Sequence, residues 1–271
     1  SGIMLPKTIR HLKGEDLKDA IPDKLYIPLT DIRMLTKVDL LMLEMLANCN
    51  WERPLYLAIS VGSVSKLKFD NYFVQEGLAF RFTPFDYKKW GDVGENRLYA
   101  VDVERLYDNV MNRYKYGGLD TPGLYLDETT LRTCWYHRRL FAQLAKELIA
   151  QGDNERAKKV LAYAEQVIPG YNVPETHESG SYDIATAYAA LGEKTKAVTL
   201  AVHLIAEAED YINWAFSLKG NRIEMVRNDC IYKFWQWNQY NELLKKIDGE
   251  KYKESNRRFE EKYALFAPTM N

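Results

Sequence analysis

The chain of 271 residues is poor in cysteine: Cys49, Cys134 and Cys230 stand far apart and are odd in number. That excludes a disulfide framework, and without a Cys-x-x-Cys pair or a His-x-x-x-His spacing no zinc site is expected. The three read most simply as small core residues. Glycine and proline number 15 and 9, too few for low-complexity or collagen-like sequence. Charge of one sign is also missing. Lys plus Arg is 37 against 38 for Asp plus Glu, and the balance holds on both sides of Tyr125, 17 against 17 up to it and 20 against 21 beyond it. With no basic surface to displace counterions from phosphates, nucleic acid is not an expected partner. Long hydrophobic runs are absent too. The most apolar stretch, Val38 to Ala47, is interrupted by Asp39 and Glu44 and falls short of the ~20 residues that span a bilayer. The opening Ser-Gly-Ile-Met-Leu-Pro has no signal-peptide pattern and reads as a tag scar on an excised piece.

What remains is globular composition, 46% apolar and 28% charged with 13% aromatic residues, enough to bury a large core in two domains. Thr36 and Asp39 have the spacing of a helix start. The run Val38, Leu40, Leu41, Met42, Leu43, Met45, Leu46 is apolar nearly all round, which predicts a buried helix ended by Asn48 and Asn50. After Pro54 the period becomes two. Leu55, Leu57, Ile59 and Val61 predict one strand and Leu78, Phe80 and Phe82 a second. The proline-bearing segments Ile3 to Pro6 and Leu25 to Leu29 suit edge strands. From Asp102, Val103, Leu106, Tyr107, Val110, Met111 and Tyr114 trace an amphipathic helix closed by Gly117-Gly118.

Beyond Asp127 the strand signals stop. Helices are predicted over 128–151, 153–168, 179–191, 193–217, 222–247 and 250–265. Two stretches repeat the pattern Gly-acid-x-x-basic-Ala, Gly152 to Ala157 and Gly192 to Ala197, with their glycines 40 residues apart. Around the first, Phe141, Leu144, Ala145, Leu148, Leu161, Ala164 and Pro169 follow the tetratricopeptide alternation of large and small residues. Around the second, Ile184, Ala185, Tyr188 and Ala197 match, while Ala201 and Glu209 depart from it. The extra length over the usual ~34 residues falls in the loop Gly170 to Ser179. A plain helical bundle is the alternative. The expected fold class is α+β and predominantly helical, a small α/β domain over 1–126 followed by a tetratricopeptide-like helical domain over 127–271.

Three motifs carry a resemblance. Asn48-Cys49-Asn50-Trp51-Glu52-Arg53-Pro54 joins the first helix to the first strand, and Gln75-Glu76-Gly77 leads into Phe80-Arg81-Phe82. The stretch Asn109 to Glu128 contains Gly117-Gly118 and Asp127-Glu128. In this order, ahead of tetratricopeptide-like helices, they resemble the soluble C-terminal region of a domain-of-unknown-function family of Bacteroidetes membrane proteins. The membrane half of that family is similar to protein O-mannosyltransferases of the glycosyltransferase-C type. The resemblance implies a non-catalytic, extracytoplasmic accessory domain at the periplasmic face of the inner membrane. Its implied partners are the parent's membrane half and an acceptor protein or a glycan. The family's acidic catalytic residues lie in the membrane half, so no catalytic residue, metal or cofactor is assigned to this chain. A self-contained enzyme acting on glycans and a cytoplasmic helical-repeat adaptor are the alternatives.

The candidate binding residues are Trp51, Arg53, Glu76, Arg81, Trp214, Tyr232 and Trp235. Trp51 and Arg53 suit an aromatic and cationic recognition surface, or else a plug at a helix-to-strand corner. Glu76 and Arg81 suit a functional pair or an ordinary cross-strand ion pair. Aromatic residues gather between Tyr211 and Tyr240. Val226, Cys230, Phe234, Trp237 and Leu244 form an inward helical stripe, which leaves Tyr232, Trp235 and Gln239 on another face. That face suits stacking on sugar rings or gripping a peptide, and equally burial under a neighbour. Glu175, His177 and Glu178 read as a solvated polar loop, with an adventitious cation site as the alternative, and His137-Arg138-Arg139 as a small basic spot on a helix, too small to attract nucleic acid.

Overall fold

The computed structural model describes residues 25, 34–49, 53–61, 70–90, 99–218 and 222–267. Ile3 to Pro6 and Trp51 lie outside the described residues; of Leu25 to Leu29 only Leu25 is described, and it has no regular structure. Contacts divide the chain into two compact units, Ser1–Tyr114 and Lys115–Asn271.

The first unit is a small mixed sheet with helices. Helix α1, Lys37–Asn48, starts at a capping box in which the Thr36 hydroxyl accepts from the Asp39 amide and the Asp39 carboxylate accepts from the Thr36 amide. Strands β1 (Tyr56–Ala58), β2 (Phe73–Gln75), β3 (Ala79–Phe82) and β4 (Ala100–Val101) are ordered β1-β3-β2-β4, with only the β2/β4 pairing parallel. The register sets Phe73 against Phe82 and Leu57 against Phe80, so these four side chains share one face. Leu35, Met42, Leu43 and Leu46 of the α1 segment pack against it. The expectation of a fully buried α1 is corrected: Val38, Leu40, Leu41 and Met45 are exposed, because a single sheet covers only one stripe of the helix. The first predicted strand is likewise shorter, giving way to a 3-10 turn at Ile59–Val61.

Helix α2, Val103–Asp108, is capped by Asp102 and widens into a π turn over Asn109–Arg113. Tyr114 is already extended, so Gly117 and Gly118 do not end the helix as expected; they form the turn after it. The extra residue of the π turn re-aims the chain beyond Arg113. Asn109 donates to the Glu76 carbonyl at 2.6 Å, and the Tyr114 hydroxyl accepts from the Leu78 amide at 3.0 Å. The β2–β3 turn is thereby fastened by side chains.

The second unit is helical: α3 (Glu128–Ala150), α4 (Asn154–Val167), α5 (Ser181–Ala190), α6 (Lys194–Ser217), α7 (Arg227–Ile247) and α8 (Gly249–Phe266). The segment predicted as one helix from 222 is broken at Val226. α3/α4 and α5/α6 are hairpins with the same turn. Gly152 and Gly192 both sit at φ 77°, and the residue after each donates back to the helix, Asp153 to Leu148 and Glu193 to Tyr188, at 2.9 Å. Ala157 and Ala197, five residues on, are fully buried where the helices cross. α3 packs on α5, α6 on α7 and α7 on α8. The inward stripe of α7 is as expected at Cys230, Phe234, Trp237 and Leu244, whereas Val226, expected to begin it, stands at the break before the helix and is only partly buried. The buried Trp237 indole is satisfied by Ser255 of α8 at 2.8 Å, which in turn donates to Asn241.

The long loop between α4 and α5 is organised from within. Arg138, at the centre of α3, is buried, correcting its reading as part of a surface basic spot. Its guanidinium donates to the carbonyls of Ile168, Val173 and Pro174 and to the Ser179 hydroxyl, at 2.6 to 3.1 Å. Burial pushes it down to about 10, still charged at neutral pH. Asn172 of the same loop donates to the Leu119 and Thr121 carbonyls, fastening the turn before α3.

Candidate functional site

In the first unit, strand alternation places Tyr56 and Arg81 opposite one another on the sheet face away from α1. Glu76 follows β2 on the same side. Its carboxylate meets Arg81 Nε at 2.9 Å and Arg105 of α2 at 3.3 Å, and accepts from the Tyr56 hydroxyl at 3.2 Å. Arg105 also reaches Asp102 at 3.5 Å. Burial and the nearby Glu76 charge push the Tyr56 hydroxyl up. The pair Glu76 and Arg81 is therefore a buried ionic clamp between hairpin and helix. Its acid is engaged from three sides, which suits holding the fold rather than exchanging protons with a substrate. A cleft of about 590 Å³ opens beside it, floored by Glu76, Gly77 and Tyr114 and rimmed by Arg105, Asp108 and Arg113. Arg113 and Asp108 pair across its rim at 2.6 Å. Arg53 is exposed, and Trp51 lies outside the described residues.

The helical unit carries the other candidate. Thr176 and Ser179 close a turn on themselves: the Ser179 amide donates to the Thr176 hydroxyl, while the Thr176 amide donates to the Ser179 hydroxyl. Arg138 holds Ser179 from behind. Gly180 follows at φ 83°, and a Cβ there would meet Arg139 Cγ at 2.7 Å. The two middle residues of the turn, His177 and Glu178, meet α7. His177 Nδ1 is hydrogen-bonded to the Tyr240 hydroxyl at 2.9 Å, and its ring stacks on Tyr182. It stands nearly perpendicular to Tyr232 and Trp235, at 6.1 and 5.6 Å between centroids. Those two, i and i+3 on α7, are parallel within 12° at 5.6 Å, and both are about half exposed. Glu178 accepts from Gln236 at 3.0 Å and has Lys233 at 3.8 Å.

Geometry thus brings Tyr232 and Trp235 together and makes the His177 turn their support. The solvated-loop reading of that turn is corrected: His177 is packed among four aromatic rings. Trp214, half exposed on α6, packs on Tyr211 instead. Tyr211 donates to Asp229, and burial with that carboxylate pushes its hydroxyl up to about 12. Among the described residues no His, Cys, Asp and Glu cluster is placed to hold a metal ion, and no helix is long and apolar enough to cross a membrane. His177, Glu178, Tyr182 and Tyr240 were not among the candidates. The reciprocal Thr-x-x-Ser pattern at 176–179 is the one local signal that marks the turn.

Burial holds the His177 imidazole below its ordinary value, against the opposing charges of Glu178 and Asp183 and with the help of Lys233. Burial also acts on Glu178, but its backbone hydrogen bond, Lys233 and Gln236 outweigh it and keep the carboxyl below its usual range. For His177 the sign is that of a group kept neutral. The unfolded chain takes up a proton near pH 6.5, while the folded chain resists it. Stability is full above that pH and falls as the pH drops towards the folded value. Urea unfolding midpoints at pH 7.5 and 5.5 are expected to show the loss, and His177→Gln to reduce it. His137, lowered by burial, acts in the same direction, and Glu207, raised by burial, acts against it. A midpoint difference untouched by His177→Gln contradicts this account.

Comparison with known proteins adds one finding. A family model matches residues 7–104, inside the first unit. It is described as TMEM260-associated domain 2. No curated protein and no solved structure matches the chain. The match to the TMEM260-associated domain covers the sheet and the clamp of Glu76 and Arg81; the helical unit with Tyr232 and Trp235 lies outside it.

Proposed function

We propose that the chain is a non-catalytic accessory domain of a glycosyltransferase-like membrane protein, acting on the periplasmic side to hold an acceptor protein or glycan for it. The observation that carries this reading is the pair Tyr232 and Trp235, exposed on α7 and backed by His177. Soluble proteins bury large aromatic residues when folding alone requires it; rings held in place yet open to solvent suit a partner. The TMEM260-associated match supports the link to a membrane protein. The two like hairpins support a tetratricopeptide-like unit, whose stacked helices commonly present a binding surface.

The reading is tested with the 271-residue chain and isotope-labelled NMR spectra, titrated with acceptor-type peptides, glycopeptides and free glycans at millimolar concentration. Expected are shifts in the α7 indole and His177 signals, lost when Tyr232 and Trp235 are both replaced by alanine. A chain whose spectra respond to none of these ligands overturns the holding role.

A further inference from the structure

We infer that the stepped aromatic surface of α7, Tyr232 and Trp235 with His177 behind them, is a binding site for a pyranose ring. The inference rests on the holding role proposed above and names its ligand.

A pyranose presents a patch of C–H bonds on one face and hydroxyls around its rim. It calls for an aromatic face under the patch and polar side chains at the edge. Both lie within two turns of α7. At a 5.6 Å centroid separation, parallel rings in contact at about 3.5–4 Å are offset laterally by about 4 Å, so each leaves part of its face open. Both rings are about half exposed, and neither needs a ligand to order it. His177 fixes both, and is itself fixed by Tyr240 and by the closed Thr176–Ser179 turn. Such preorganisation matters for a sugar, whose hydroxyls are well satisfied in water and leave little energy to arrange a loose site. Beside the rings stand the partly exposed Glu178 and Lys233, a carboxylate that accepts from hydroxyls and an ammonium that donates to them, with the carboxylate held in place by the buried Gln236. An extended peptide would instead require an open sheet edge or an apolar groove. α7 is a helix whose backbone groups are spent on itself, and its outward side offers rings and polar tips.

The test is saturation-transfer NMR on the 271-residue chain with methyl α-mannopyranoside, methyl β-glucopyranoside and methyl β-galactopyranoside at millimolar concentration. Transfer is expected to the ring C–H protons of at least one glycoside. It is expected to weaken about five- to tenfold in Trp235→Ala and in Tyr232→Ala, the loss of one aromatic contact, and to persist in Trp214→Ala. Circular dichroism confirms that each variant is folded. No transfer to any of the three glycosides, or equal transfer in Trp235→Ala, overturns the inference. If acceptor peptides bind through Trp235 while all three glycosides are ignored, the pyranose site is wrong and the holding role stands. If peptides and sugars both fail, both readings fall.

Discussion

Arg138→Met is expected to lower the stability of the helical unit by about 3–4 kcal/mol, because the buried carbonyls it serves lose charged hydrogen bonds and methionine donates none. The guanidinium reaches three backbone carbonyls and one hydroxyl from a fully packed position in α3. Those carbonyls belong to a loop with no ladder of its own, so few alternative donors are at hand. Arg138→Lys keeps the charge but replaces a planar fork by a single point, and is expected to recover only part of the loss. Urea unfolding followed by tryptophan fluorescence reads both. A change below about 1 kcal/mol for Arg138→Met, within the range of ordinary surface substitutions, would contradict the central role given to this side chain. The same variant reaches the candidate site, since Ser179 closes the turn that carries His177. Loosening that turn is expected to broaden the His177 resonance even where the unit remains folded.

The second large effect is expected at Gly77. Any Cβ there would lie 2.1 Å from the Tyr114 hydroxyl oxygen and 3.1 Å from its ring carbon, on a backbone at φ 156°. Tyr114 cannot retreat without giving up the Leu78 amide it accepts from. Gly77→Ala is therefore expected to cost about 2–4 kcal/mol, the range of an overpacked site with a lost hydrogen bond. Tyr114→Phe removes the oxygen that clashes most and leaves the closer-fitting ring. The double variant is accordingly expected to be more stable than the sum of the single effects predicts, by about 1 kcal/mol or more. Additive losses would place the strain elsewhere. The neighbouring clamp gives the reason this turn is so tightly specified. Glu76, one residue before, is buried with two arginines, and a shifted turn would separate charges that cost several kcal/mol to leave unpaired.

Much of the fold was legible in the residues. Most of the long helices beyond Asp127 have their punctuation in sequence: Asp127 and Asp153 cap, Gly152 and Gly192 turn. Those are local effects, settled within a few residues, and the predicted bounds lie close to the observed ones except at Val226, where the segment predicted from 222 breaks. Strands β2 and β4, two or three residues long, carry too few positions to show a period, and only the sheet around them makes them strands. The outward placement of Tyr232 and Trp235 was legible as a second face of α7. Whether that face was covered was not, because coverage depends on which elements pack nearby.

What the sequence by itself determined is the mostly helical α+β class, the repeated helix–glycine turn, the inward stripe of α7 and the even balance of charge. Each comes from spacing or composition. Tertiary structure alone decided three further things. The apolar helix α1 packs Met42, Leu43 and Leu46 on the sheet and leaves Val38, Leu40, Leu41 and Met45 exposed. Arg138, which reads as surface charge, is the buried tie of the α4–α5 loop. His177, isolated in sequence, stands behind Tyr232 and Trp235. In each case the decisive contacts join residues tens of positions apart, and no local pattern encodes which distant side chain will come to fill the space.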